Sequence, residues 1–215
     1  MRAARPVTGR SLPRLYAILD RERAGSRPPE DLARALAEAG VRLIQYRDKK
    51  GSSRQIFEAS QALAATLEGS GCIFIVNDRA DIARLVGAAG VHLGQDDLPA
   101  ELAGRVLLPG QMLGVSTHNV AQAEQAEGSP AEYVAIGPIF PTASKEHPDP
   151  TLGLEGLRRV RCVVKKPLVA IGGITLENAK SVIEAGADSV AVIRDLMIAP
   201  DIARRVEEYL RELES

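Results

Sequence analysis

Two short apolar segments of this chain end in acids. Ile75-Val76-Asn77-Asp78-Arg79-Ala80-Asp81 is followed by Gly90-Val91-His92-Leu93-Gly94-Gln95-Asp96-Asp97, and both apolar runs have the length of buried strands. Carboxylates gathered at neighbouring strand ends suit a hard cation such as Mg2+, which takes one or two carboxylates and completes its octahedron with phosphate oxygens and water. Asp78 and Asp97 are the expected pair. Asp81 lies inside the next expected helix and Asp96 faces away from Asp97 on an extended backbone, so either is equally read as a cap or as an arginine's partner.

An earlier strand end, Gln45-Tyr46-Arg47-Asp48-Lys49, is cationic. Alternation along an extended chain aims Gln45, Arg47 and Lys49 to one side and Tyr46 and Asp48 to the other. Arg47 can fork onto phosphate oxygens, and Lys49 adds a compact charge. Gln45 stands within an apolar run, which argues against a merely solvated loop, and Asn77 offers an amide to a polar substrate edge. Val169-Ala170-Ile171-Gly172-Gly173-Ile174-Thr175 leads a buried strand into a helix with Thr175 as its expected N-cap. Bare backbone at Gly172 and Gly173 would let a phosphate reach N–H groups near that helix start. Thr142, Ser144 and Lys145 supply hydroxyls and a cation from a long proline-rich connection. A metal beside phosphate-binding groups points to chemistry on a phosphorylated or diphosphorylated small molecule.

Other reactive side chains carry less. His92 reads as a packed, satisfied residue rather than a ligand, and His118 follows a strand end with no identifiable acid partner. Ser116 lacks a nucleophile elbow, which leaves it a hydrogen bond to substrate. Cys72 and Cys162 have neither zinc nor redox spacing and read as small buried apolar residues.

The elements that must position these residues repeat. Apolar runs, each followed by helical periodicity, give expected strands at 15–19, 42–47, 72–77, 90–93, 112–116, 132–137, 167–172 and 188–193. Helices are expected at 29–39, 53–68, 79–87, 98–104, 119–127, 154–162, 175–185 and 200–213, with Pro28-Pro29 starting the first. Gly40, Gly90 and Gly186 each stand where a left-handed cap would end a helix before the next strand. Nearly continuous apolar strands such as 167–171 are covered on both faces and favour a parallel sheet. The expected fold is therefore a single-domain α/β protein, a (β/α)8 TIM barrel, whose strand C-terminal ends share one active face. A doubly wound sheet is disfavoured because the turn after the first strand, Asp20 to Gly25, lacks the glycine fingerprint. Residues 138–153 form the longest irregular connection and are a candidate cover for that face.

Composition bounds the partners. The chain has 215 residues, 45% apolar and 26% charged, and its 27 basic and 28 acidic residues leave a net charge of -1. That balance gives no field to attract nucleic acid or an anionic membrane. There is neither a spanning apolar stretch nor a secretory segment, so a reduced, cytoplasmic setting is expected. Residues 1–13, with Arg2, Arg5 and Arg10 and no acid, read as a flexible leader to a catalytic domain at 14–215. Self-association into a homo-oligomer is left open.

The same stretches, with Gly114-Val115-Ser116-Thr117-His118 and Gly137 through Lys145, jointly resemble the thiamine-phosphate synthase family along nearly the whole chain. The resemblance implies joining 4-amino-5-hydroxymethyl-2-methylpyrimidine diphosphate to a thiazole ethyl phosphate, with release of diphosphate. It implies that Gln45, Arg47, Lys49, Asn77, Ser116 and Lys145 hold the pyrimidine diphosphate, with Arg47, Lys49 and Lys145 catalytic, and that Asp78 and Asp97 bind one Mg2+. Thr142, Ser144, Gly173 and the backbone around Ile193 would meet the thiazole phosphate, and the contacting set extends to Tyr46, Asp48, Ala143, Gly172 and Arg194. Ser144 replaces a common threonine. Ile193-Arg194-Asp195 replaces a common hydrophobic-Ser-Ala stretch, so Arg194 either contacts phosphate, turns outward or is neutralised by Asp195. Rival readings are a thiazole tautomerase, which carries a histidine where this chain has Pro138, and a non-catalytic phosphate-metabolite sensor.

Overall fold

The computed structural model describes residues 12–142 and 149–214. Ala143, Ser144 and Lys145 lie outside the described residues, as do residues 1–11 of the expected leader. Eight parallel strands, β1 (Leu15–Asp20), β2 (Leu43–Arg47), β3 (Ile73–Asn77), β4 (Gly90–Leu93), β5 (Met112–Thr117), β6 (Tyr133–Ile136), β7 (Leu168–Ile171) and β8 (Ser189–Val192), pair in chain order. The ring closes where β8 pairs with β1 through Leu15 and Val190, Tyr16 and Ala191, and Ala17 and Val192. Around it run α1 (Arg21–Ala24), α2 (Pro29–Glu38), α3 (Ser53–Leu67), α4 (Ala80–Val86), α5 (Ala100–Val106), α6 (Val120–Gly128), α7 (Gly153–Val163), α8 (Leu176–Glu184), α9 (Arg194–Met197) and α10 (Ile202–Glu214). The barrel expected from the alternation is the fold observed. Only α1 and α9 were not expected, because one turn of helix is too short to show a period.

Alternation along each strand separates two cores. One face of the strands, with Leu19, Ile44, Val76, Val91 and Val134, packs under the helices. The other fills the barrel with Tyr16, Ile18, Leu43, Ile75, Met112, Tyr133 and Val169. Leu12, placed in the leader by the sequence, is 5% exposed and joins this interior cluster, so the packed part of the chain starts earlier than residue 14.

Local signals explain most helix limits. Pro29 opens α2, where a missing N–H costs nothing, and Ser52 caps α3 through a reciprocal box with Gln55. Gly40 and Gly186 follow α2 and α8 at φ 108° and 110°. Gly90 does not act as a cap. It is the first residue of β4, where a Cβ would lie 2.2 Å from the Met112 backbone oxygen, and the left-handed cap of α4 is Gly87. The cysteines also differ from expectation: Cys72 is half-buried with its thiol 2.9 Å from the Val41 oxygen, and Cys162 is exposed on the outer side of α7. No described helix is long and apolar enough to cross a membrane.

Candidate active site

The C-terminal strand ends carry the charged residues to one rim. Arg47, last in β2, pairs with Asp20, last in β1. Asp20 is 3% exposed, and its other oxygen accepts from the Arg23 N–H at 3.1 Å, which caps α1. Just beyond β3, Asp78 adopts φ 64° and donates its N–H to the His92 oxygen at 2.8 Å. That bond ties the Asp78 turn to β4 and sets its carboxylate beside Lys49, whose Nζ is 2.5 Å from Asp78 Oδ2. Asp97 also adjoins Asp78, and Asp97 Oδ2 accepts from the Gly94 N–H at 2.7 Å. Burial and then the neighbouring Asp97 push the Asp78 carboxyl up to about 6, against the opposing pull of Lys49.

Two adjacent hard-oxygen acids that repel each other fit a divalent cation better than they fit each other. No group of three or more metal-ligating side chains occurs among the described residues. A cation held by Asp78 and Asp97 would therefore share its remaining positions with substrate phosphate and water, as Mg2+ commonly does. Beside the acids, the Asn77 side-chain nitrogen is buried with no partner among the described residues, a donor left over for an incoming acceptor. Asp81 is engaged elsewhere, held by Arg79 through contacts of 2.9 and 2.6 Å.

Beneath the rim, Gln45 is 2% exposed and donates to the Tyr16 hydroxyl at 2.7 Å. His92 is packed and satisfied, with Nδ1 2.9 Å from the Tyr133 hydroxyl and Nε2 2.8 Å from Ser116 Oγ. Burial lowers its pKa to about 4, so the ring is neutral near pH 7. Tyr46 and Asp48 turn to the opposite face, as strand alternation requires. Tyr46 is 2% exposed in the outer core, and Asp48 Oδ1 accepts from the N–H groups of Lys50 and Gly51 at 3.0 and 2.8 Å. These two shape the turn that presents Lys49, and the structure does not bring their side chains to the rim.

On the far side, Gly172 and Gly173 have φ 99° and 64°. A Cβ there would lie 2.6 Å from Pro138 Cα and 2.5 Å from the Pro141 oxygen, so the glycines are demanded by the connection after β6 as well as by any ligand. That connection is laced to β7 by Ile139 N–H to the Ile171 oxygen and Phe140 N–H to the Gly172 oxygen, at 2.9 and 3.0 Å. Thr142, half-buried, follows in the same connection. At the end of β8, Ile193 is half-buried and Arg194 is exposed, with no ion pair among the described residues. Asp195 does not neutralise Arg194, because its Oδ2 accepts from the Tyr209 hydroxyl at 2.7 Å and from Arg205 at 3.3 Å. His118 has the acid partner its local sequence did not reveal: Nδ1 is 2.7 Å from the Gly137 oxygen and 3.5 Å from Asp149 Oδ2.

The thiamine monophosphate synthase family model matches residues 15–196, every strand of the barrel. The chain belongs to this family. A thiamine-phosphate synthase of Koribacter versatilis is 49% identical over 213 residues, covering 97% of this chain and all of its relative. One from Moorella thermoacetica is 44% identical, covering 91% of this chain and 95% of its own. The solved thiamine phosphate pyrophosphorylase of Pyrococcus furiosus superposes with a TM-score of 0.84 at 36% identity, covering 94% and 95% of the two chains. This synthase-family barrel is accordingly a transferase of thiamine biosynthesis.

Proposed function

We propose that the chain condenses 4-amino-5-hydroxymethyl-2-methylpyrimidine diphosphate with a thiazole ethyl phosphate, giving thiamine phosphate and diphosphate. Gln45, Arg47, Lys49, Asn77, Ser116 and Lys145 hold the pyrimidine diphosphate. Asp78 and Asp97 hold Mg2+, and Thr142, Ser144, Gly173 and the backbone at Ile193 receive the thiazole phosphate, with Arg194 at its edge. When bound, the metal supplies positive charge for the departing diphosphate. Arg47 and Lys49 add fixed cations at the same rim, where negative charge grows as the carbon–oxygen bond breaks. No protein nucleophile is needed. The aminopyrimidine spreads the resulting cation until the thiazole nitrogen forms the new carbon–nitrogen bond, and exclusion of water protects it from the wrong nucleophile.

The observation that carries this reading is the convergence at one rim of Arg47, Lys49, Asp78 and Asp97 with the unpartnered Asn77 amide nitrogen. The test incubates the purified chain with both substrates and Mg2+ and follows thiamine phosphate and diphosphate by mass spectrometry. Conversion of the thiazole phosphate between tautomers without condensation would replace this reading with the tautomerase. Ligand binding with no turnover of either kind would replace it with a sensor.

A further inference from the structure

Five polar side chains cross the barrel interior in single file. Gln45 Nε2 is 2.7 Å from the Tyr16 hydroxyl, which is 2.9 Å from the Tyr133 hydroxyl. That hydroxyl is 2.9 Å from His92 Nδ1, and His92 Nε2 is 2.8 Å from Ser116 Oγ. The rings are fixed by contact: Tyr16 meets Tyr133 edge to face at 6.1 Å, and His92 stacks on Tyr133 at 5.4 Å and 24°. Space for Tyr133 is made by Gly114, where a Cβ would fall 2.0 Å from the tyrosine ring.

Counting hydrogens gives this file a direction. An amide nitrogen only donates, each hydroxyl has one hydrogen, and a neutral imidazole has one N–H and one lone pair. With the Gln45 nitrogen facing Tyr16, the Tyr16 oxygen accepts and its hydrogen goes to Tyr133. Tyr133 then donates to Nδ1, His92 carries its hydrogen on Nε2 and donates to Ser116, and the Ser116 hydrogen is left for the rim. Turning the Gln45 amide by half a rotation reverses every step. The His92 hydrogen moves to Nδ1, Ser116 donates inward, and only its lone pairs face the rim. A diphosphate offers acceptors alone, so it is matched by the first direction and opposed by the second.

We propose that Tyr16, Tyr133 and His92 are positioning residues that transmit the orientation of the Gln45 amide across the barrel and fix Ser116 as a hydrogen-bond donor to substrate. The ligand at the two ends rests on the function proposed above; the wiring between them does not.

Nitrogen–proton correlation spectra of the imidazoles in the uniformly 15N- and 13C-labelled protein test it without substrate, and the chain has only three histidines to assign. The expected His92 tautomer has the proton on Nε2 and a bare Nδ1. Gln45→Glu places an acceptor-only group at the head of the file, and once the new carboxyl is ionised, as its 13C shift reports, the proton should move to Nδ1. Tyr133→Phe should raise KM for the pyrimidine diphosphate roughly fivefold, more than it lowers kcat, since one neutral hydrogen bond is worth about 1 kcal/mol. An Nδ1 proton in the unmodified protein, or an ionised carboxylate at 45 that leaves the imidazole unchanged, overturns the proposal. Failure of the synthase reading is distinguishable, as absent product with the Nε2 tautomer intact.

Discussion

Asp78 sits at φ 64°, the only described residue other than glycine with positive φ. Aspartate and asparagine tolerate that conformation, whereas other side chains lose roughly 1 kcal/mol there. Asp78→Asn should therefore keep the unfolding midpoint and lose turnover about a hundredfold or more at limiting Mg2+, the scale of removing one preorganised charge-stabilising group. Asp78→Ala should lose both, and equal denaturation midpoints for the two variants would rule out backbone strain. The raised pKa adds a sign. Because the carboxyl keeps its proton up to about pH 6, proton and metal compete below that value. Apparent Mg2+ affinity should fall about tenfold per pH unit below it and stay flat above it. Calorimetric titration that finds no such slope would remove Asp78 from the metal. Arg194 makes no ion pair among the described residues, so Arg194→Ser should change stability by less than about 0.5 kcal/mol. It should raise KM for the thiazole phosphate roughly tenfold, the worth of one charged hydrogen bond, and an unchanged KM would mean an outward side chain. At this scale the acids at 78 and 97 were legible because each ends an apolar run. Asp20 ends one too, but its pairing with Arg47 depends on β1 and β2 being neighbours. Asp149 meets His118 only through the return of the chain after β6.

Strands and helices were legible nearly to their ends, since buried parallel strands and amphipathic helices write different periods into the chain. The glycine at 90 shows where that reading stops. Its Ala-Gly-Val setting matches the one at Gly40, yet Gly40 turns the chain with positive φ while Gly90 is already paired in β4. What decides is the distance to the neighbouring strand, and no local pattern records it. Gly90→Ala should force β4 from β5, lowering stability by more than about 2 kcal/mol and activity with it, because β4 carries His92 and leads to Asp97. Gly104, inside α5, makes the opposite case, since a methyl group added there would meet nothing within 4 Å. Gly104→Ala should raise stability by about 0.5–1 kcal/mol, and a thermal melt that ranks the two variants the other way would refute this account.

For the molecule as a whole, closure gathers residues from 20 to 195 within one rim, and the eightfold alternation made that closure readable from sequence. The polar file through the barrel was not readable. Tyr16 and Tyr133 look like ordinary strand aromatics, and only the ring of eight strands brings their hydroxyls to 2.9 Å. One further property follows from Lys49 standing against Asp78. The protein brings its own counter-ion to its pair of acids, so the fold does not depend on an outside cation to relieve their repulsion. A chelator should then silence the enzyme while leaving the protein folded, its melting temperature falling by no more than the loss of one bound ligand's stabilisation, and a chain that unfolds in EDTA at room temperature would mean that the ion is part of the architecture.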